Sequence, residues 1–137
     1  MITFKAVTPK GTIVNEEVKS IYGTSVLGDF TLLPKHMPVV YQMVPCRIAL
    51  TKEDGTKENF AMSTGFLYFD EDKATLLTDA FEPEDQIDVA RAQAALQRAE
   101  DKLAHPTEEI DIPRAKRART RAMVRLKVAN LKNRKKS

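Results

Sequence analysis

A chain of 137 residues, 42% of them hydrophobic and none of them Trp, can fill one modest core, or a small domain with an appendage. No apolar run approaches the ~20 residues of a membrane span, and the start, MITFKAVTPK, lacks the basic-then-apolar order of a signal peptide, so a soluble cytoplasmic chain is expected. The single Cys46 excludes an internal disulfide and a thiolate metal cluster. The net charge of +3 hides an asymmetry: residues 1–82 carry 8 Lys and Arg against 11 Asp and Glu, whereas residues 83–137 carry 14 against 8, and no acidic residue follows Asp111.

All five glycines precede residue 66, and this first part reads as strands. ITFKAVT alternates apolar and polar, and TIVNEEVKSIYG, VVYQMV and CRIALT are β-rich runs bounded by Gly or Pro. Cys46 sits in such a run and is expected to be a small core residue. KEDGTK is a hairpin turn in which Asp54-Gly55 supplies the positive φ. NFAMSTGFLYF, DEDK and ATLLTD make a second hairpin. About eight to ten short strands in so short a segment point to an antiparallel β-sandwich or flattened barrel.

At Pro83 the pattern changes: no Gly follows, and Ala and Arg dominate. Val89, Ala92, Leu96, Ala99 and Leu103 step by three and four, as do Ala115, Ala118, Ala122, Leu126 and Ala129. Each set is one helical stripe. AHPTEEID breaks and restarts the helix, so the two helices should fold back antiparallel. Seams of alanine bury little area, which makes the hairpin marginal by itself. The end, KNRKKS, is expected to fray. The fold class is therefore α+β: a β-sandwich over residues 1–83, then an antiparallel α-helical hairpin over residues 84–137.

Ile-Asp-x-x-Arg-Ala occurs twice, from Ile87 and from Ile110. Asp is a good N-cap, because its carboxylate accepts a first-turn N–H and suits the positive end of the helix dipole, and capping alone accounts for Asp88 and Asp111. The first copy has different company. Asp88, Arg91 and Arg98 each stand one residue before a seam position, and so do Arg121 and Arg125. In an antiparallel pair these positions fall on one flank, with Arg91 level with about position 123. Two readings are open. One is a solvated arginine stripe. The other is an anion site in which guanidinium groups bind phosphate bidentately and the carboxylate accepts from a ligand amine, which suits a polyphosphate carrying a base. No Gly-rich phosphate loop is present, so hydrolysis of that ligand is not suggested.

AVTPKGTIV, GDFTLLPKHMPVV, STGFLYFDEDKATLLTDAFE and EDQIDVARA, in this order and spacing, resemble the epsilon subunit of the bacterial F-type ATP synthase over nearly the whole chain. The resemblance implies a non-catalytic subunit of the central rotor stalk at the cytoplasmic face of the membrane. Its sandwich would contact the gamma subunit and the c-subunit ring. Its hairpin would switch between a folded state and an extended state that inserts among the alpha and beta subunits and inhibits ATP hydrolysis. No cofactor is required, and ATP is implied as a regulatory ligand that favours the folded state. By matching position the ATP-binding residues fall on Glu82, Asp88, Arg91, Arg98, Arg121 and Arg125. The loop carrying Asp29 and His36 would face the rotor. The sequence departs from the family pattern at Thr31, Cys46 and Thr64, each standing where a Gly is usual.

An Ala-rich hairpin freed of ligand would offer Arg114, Lys116, Arg117 and Arg119 to acidic surfaces of the catalytic subunits. A rival reading is a nucleic-acid-binding module with a basic helical tail, which the acid-free stretch fits. Against it, the sandwich is acidic and shows no aromatic-basic strand face for stacking bases. An enzyme is the least favoured class, for no Ser/His/Asp arrangement or phosphate loop appears. His36 and His105 show no paired spacing for a metal.

Overall fold

The computed structural model describes residues 1–107 and 109–136, with side chains through Leu131. The chain divides into two compact units, Met1–Pro83 and Glu84–Ser137. The first holds β1 (Ile2–Thr8), β2 (Gly11–Val18), β3 (Ser20–Ser25), β4 (Gly28–Leu32), β5 (Val39–Met43), β6 (Cys46–Thr51), β7 (Lys57–Met62), β8 (Gly65–Asp70), β9 (Lys73–Thr78) and β10 (Phe81–Pro83). The second holds a single 3-10 turn (Glu84–Gln86), α1 (Val89–Ala104) and α2 (Ile112–Lys136).

The strands follow one hydrogen-bonded path, β10-β7-β6-β3-β5-β8-β9-β1-β2, with β4 paired to β3. The path doubles over on itself. Phe4 of β1 lies 6.1 Å from Phe81 of β10, and Phe81 stacks on Phe60 of β7 at 4.5 Å. Lys52, at the end of β6, ties the same two ends from outside. Its ammonium sits 2.6 Å from Glu58 of β7 and 3.8 Å from Glu16 of β2. Between the layers lies a core of alternating inward residues, among them Ile2, Phe4, Ile21, Leu32, Ile48, Leu50, Leu67, Phe69 and Leu76. Cys46 belongs to this core, and burial pushes its thiol up to about 11.

The sandwich is antiparallel except at β1–β9, which run parallel. Two runs that read as single strands are each two: TIVNEEVKSIYG turns between β2 and β3, and NFAMSTGFLYF turns between β7 and β8. Gly55 has φ +89 in its hairpin turn, and in DEDK Glu71 and Asp72 take φ +48 and +61. Two consecutive left-handed residues match the right-handed twist of the flanking β8 and β9. Gly65, where β8 starts, has no room for a side chain: a Cβ there would stand 2.1 Å from the Leu77 carbonyl oxygen.

In the helical unit Ala92, Ala99, Ala115, Ala122 and Ala129 are buried, with Leu96, Leu103, Ala118 and Leu126 half-buried beside them. Each buried methyl contributes only about 0.8 kcal/mol, so the seam is weak for its length. Val89 departs from the stripe and is exposed, and Val128, outside it, is fully buried. The helical backbone of α2 continues to Lys136 through most of the basic end, and Ser137 lies outside the described residues.

Candidate functional site

Both aspartates of the repeat cap a helix. Asp88 Oδ1 accepts the Arg91 N–H at 3.0 Å, and Asp111 Oδ1 accepts the Arg114 N–H at 3.1 Å. The repeated motif is thus a helix-starting device in both copies, and each cap fixes an Arg on the first turn of its helix.

Farther along the pair lies a groove of about 430 Å³. Arg98 and Lys102 of α1 and Arg114 and Arg121 of α2 line it over a floor of alanines that includes Ala99 and Ala115. Of the arginines that share a flank in sequence, the structure brings Arg98 and Arg121 to one cavity. Asp88, Arg91 and Arg125 do not line it. Arg91 is exposed at the start of α1, and Arg125 is half-buried on α2. Glu82 belongs to the other unit, where it pairs with Ala61 across β10 and β7. Lys102 and Arg114 line the same groove and were not in the nucleotide-binding residue set read from the sequence. The signal for Lys102 was its place four residues after Arg98, one helical turn along the same face. For Arg114 it was the second copy of the repeat.

In the sandwich unit, Asp29 of β4 stands opposite Thr24 of β3. Its carboxylate accepts the Thr24 hydroxyl at 2.7 Å and the Tyr22 hydroxyl at 3.0 Å. These bonds, Thr24's first, hold the Asp29 carboxyl below the usual carboxylate range. Arg47 covers the Tyr22 ring at 4.8 Å and donates to Asn59 at 2.8 Å, which steadies the hydroxyl's carrier. His36 Nδ1 donates to the Met37 carbonyl at 2.7 Å, and its ring stands edge-on to Phe69. Lys35, at φ +69, donates its N–H to the Asp72 carboxylate at 2.6 Å, pinning this loop to the β8–β9 turn. The β3–β4 turn carries Leu27, 91% exposed, and the loop after β4 carries Met37, 78% exposed. Among the described residues no group of three or more His, Cys, Asp and Glu is placed to hold a metal ion, and no helix is long and apolar enough to cross a membrane.

The model of the ATP synthase delta/epsilon chain β-sandwich domain matches residues 1–84, and that of the delta/epsilon chain long α-helix domain matches residues 85–130. The chain is 37% identical over 124 residues to an ATP synthase epsilon chain of Geotalea uraniireducens, spanning 90% of this chain and 89% of that one. It is 36% identical over 130 residues to the epsilon chain of Geobacter sulfurreducens, spanning 94% of each. Among solved structures it resembles a chain of the Euglena gracilis mitochondrial ATP synthase OSCP/F1/c-ring assembly, with a TM-score of 0.71 at 21% identity over 99% of this chain and 81% of that one. A chain of the Tetrahymena thermophila mitochondrial ATP synthase central stalk and c-ring gives 0.62 at 11% identity over 93% of this chain and 96% of that one. At these identities the structural likeness is one of fold. A ten-stranded sandwich followed by a basic helix pair is the two-part build that the two matched domain models describe, a β-sandwich domain and then a long α-helix domain. The chain belongs to the ATP synthase delta/epsilon chain family.

Proposed function

We propose that this chain is a non-catalytic central-stalk subunit of a proton-translocating F-type ATP synthase at the cytoplasmic face of a bacterial membrane. Its sandwich joins the gamma subunit to the c ring, with Asp29 of β4 and His36 of the loop that follows it facing the rotor. Its helices regulate hydrolysis. Folded back they hold ATP through Asp88, Arg91, Arg98, Arg121 and Arg125, with Glu82 as a further contact. Extended, they enter between the alpha and beta subunits and inhibit. The names of the bacterial relatives and the c-ring assemblies that hold chains of like fold support the placement in the stalk.

The observation that carries the regulatory reading is the groove shared by Arg98 of α1 and Arg121 of α2. An anion that bridges both helices binds only the side-by-side arrangement. It therefore shifts the balance toward that arrangement by its differential affinity, about 2.7 kcal/mol at a hundredfold excess over its dissociation constant. An alanine seam is weak enough for a shift of that size to matter. The test is ATPase activity of an alpha-beta-gamma complex with this chain added. Inhibition should fall as ATP rises and vanish when residues after Pro83 are removed. Inhibition that is independent of ATP removes the ligand from the scheme, and no inhibition at all removes the regulatory role.

A further inference from the structure

Asp29 is exposed, yet its carboxylate is held at both oxygens. Oδ1 accepts the Thr24 hydroxyl and Oδ2 the Tyr22 hydroxyl, and both donors belong to β3. Thr24 is the cross-strand partner of Asp29, so its bond is local to the hairpin. Tyr22 stands two residues back on the same face and reaches Asp29 diagonally. What holds Tyr22 lies outside the hairpin. Arg47 of β6 comes two residues before Ala49, which pairs with Tyr22, and lays its guanidinium over the Tyr22 ring at 4.8 Å. The same guanidinium donates to the buried Asn59 of β7, the cross-strand partner of Ala49. A planar cation over the ring face, tied at its far end to a third strand, leaves the phenol little room to turn.

An exposed carboxylate ordinarily turns about its side-chain torsions, and a partner that binds it must stop that motion. Here it is stopped beforehand. An ionised carboxylate has about four lone-pair sites. Thr24 takes one on Oδ1 and Tyr22 one on Oδ2, so each oxygen keeps a site for a partner's donor. Resting on the reading of Asp29 as a rotor contact, we propose that Arg47 is a positioning residue for that contact: through the Tyr22 ring it fixes the direction in which Asp29 offers its carboxylate to a donor-bearing surface of the c ring. Arg47 itself does not touch the partner. The lowered carboxyl of Asp29 belongs to the same network, held down by the Thr24 bond, then the Tyr22 bond, then the charge of Arg47.

The experiment is a double-mutant cycle on the assembled enzyme. The alpha-beta-gamma sector carrying this chain is rebound to membranes that hold the c ring, and its affinity is measured with Asp29→Ala, Arg47→Gln, Tyr22→Phe, and the latter two each combined with Asp29→Ala. Asp29→Ala is expected to weaken binding about tenfold or more, through a lost charge-assisted contact. Arg47→Gln and Tyr22→Phe should each weaken it about three- to tenfold, the cost of ordering a loosened side chain, and should add nothing once Asp29 is alanine. An Arg47→Gln loss that is the same with and without the Asp29 carboxylate overturns the positioning role and leaves the stalk reading standing. So does unchanged binding in Arg47→Gln when Asp29→Ala binds weakly. Unchanged binding in Asp29→Ala overturns the rotor contact of Asp29, and the positioning role with it. Thermal melts of the free variants follow folding. Should Arg47→Gln melt early, Tyr22→Phe keeps the ring under the guanidinium and loses only the hydroxyl, and the same dependence on Asp29 is required of it.

Discussion

Arg98 and Arg121 come from different helices and line one groove, with alanines between them. Residues that serve one ligand through a shared cavity do not act independently. Arg98→Ala and Arg121→Ala should each weaken ATP, and the double variant should lose less than the two together, with a coupling of about 0.5–3 kcal/mol in binding. Additive losses in a calorimetric double-mutant cycle would show that the two guanidinium groups do not meet on one phosphate tail.

Arg91 and Arg125 stand outside that groove, so their assignment rests on the family pattern and on their place along the helices. Alanine at either position is expected to weaken ATP while leaving the sandwich amide spectrum unchanged. Because Arg125 is half-buried, its loss should also lower the stability of the helix pair, whereas loss of the exposed Arg91 should not. Calorimetry with thermal melts of both variants separates the two effects.

The repeated Ile-Asp-x-x-Arg-Ala gives a sharper comparison, for the two caps are alike in geometry and differ in neighbours. Asp88→Ala and Asp111→Ala should each cost about 1 kcal/mol of helix stability. Asp88→Asn keeps a capping oxygen and removes the charge, so it should preserve the helix and still alter nucleotide affinity. If Asp88→Asn binds ATP as the unaltered chain does, Asp88 is a cap and nothing else.

Asp29 is tied to Thr24 and Tyr22 within its own hairpin. Its pKa is lowered, first by Thr24 and then by Tyr22. A carboxylate depressed on folding contributes stability that is present above its unfolded value, near 3.8, and lost as pH falls through the folded one. Carboxyl-carbon NMR titration should find Asp29 below its ordinary value, and Thr24→Val should move it back upward. An Asp29 that titrates at its ordinary value in the unaltered chain would mean that these bonds do not hold in solution.

Gly65 opens β8 against the Leu77 carbonyl with no room for a methyl group. Gly65→Ala forces the backbone apart at the first rung of the β8–β9 ladder. A loss of more than about 2 kcal/mol in denaturant unfolding is expected, within the range of overpacking. The neighbouring Thr64 carries a side chain and takes no positive φ.

The sandwich was legible because its strands alternate: β1 buries Ile2, Phe4, Ala6 and Thr8 in strict order. β6 and β7 bury residues on both faces, so alternation could not show their orientation, and the three-residue β10 has too few positions to alternate at all. The parallel pairing of β1 with β9 is set by how the path doubles over, a long-range relation that no local pattern carries. In the helices the alanine stripe marked the seam correctly except at Val89 and Val128, because a stripe gives the direction of the buried face and not where it ends. The arginine flank was legible as a set of positions. Which of them share a cavity depended on the register between the helices, and that register placed Lys102 and Arg114 beside Arg98 and Arg121.

The most direct measurement is a side-chain NMR titration of the full chain with ATP, following the arginine Nε–H resonances. Shifts at Arg91, Arg98, Arg121 and Arg125, with Arg47 of the sandwich unmoved, are the expected result. Unmoved hairpin arginines at millimolar ATP, with no heat of binding, would contradict nucleotide control of the helix pair.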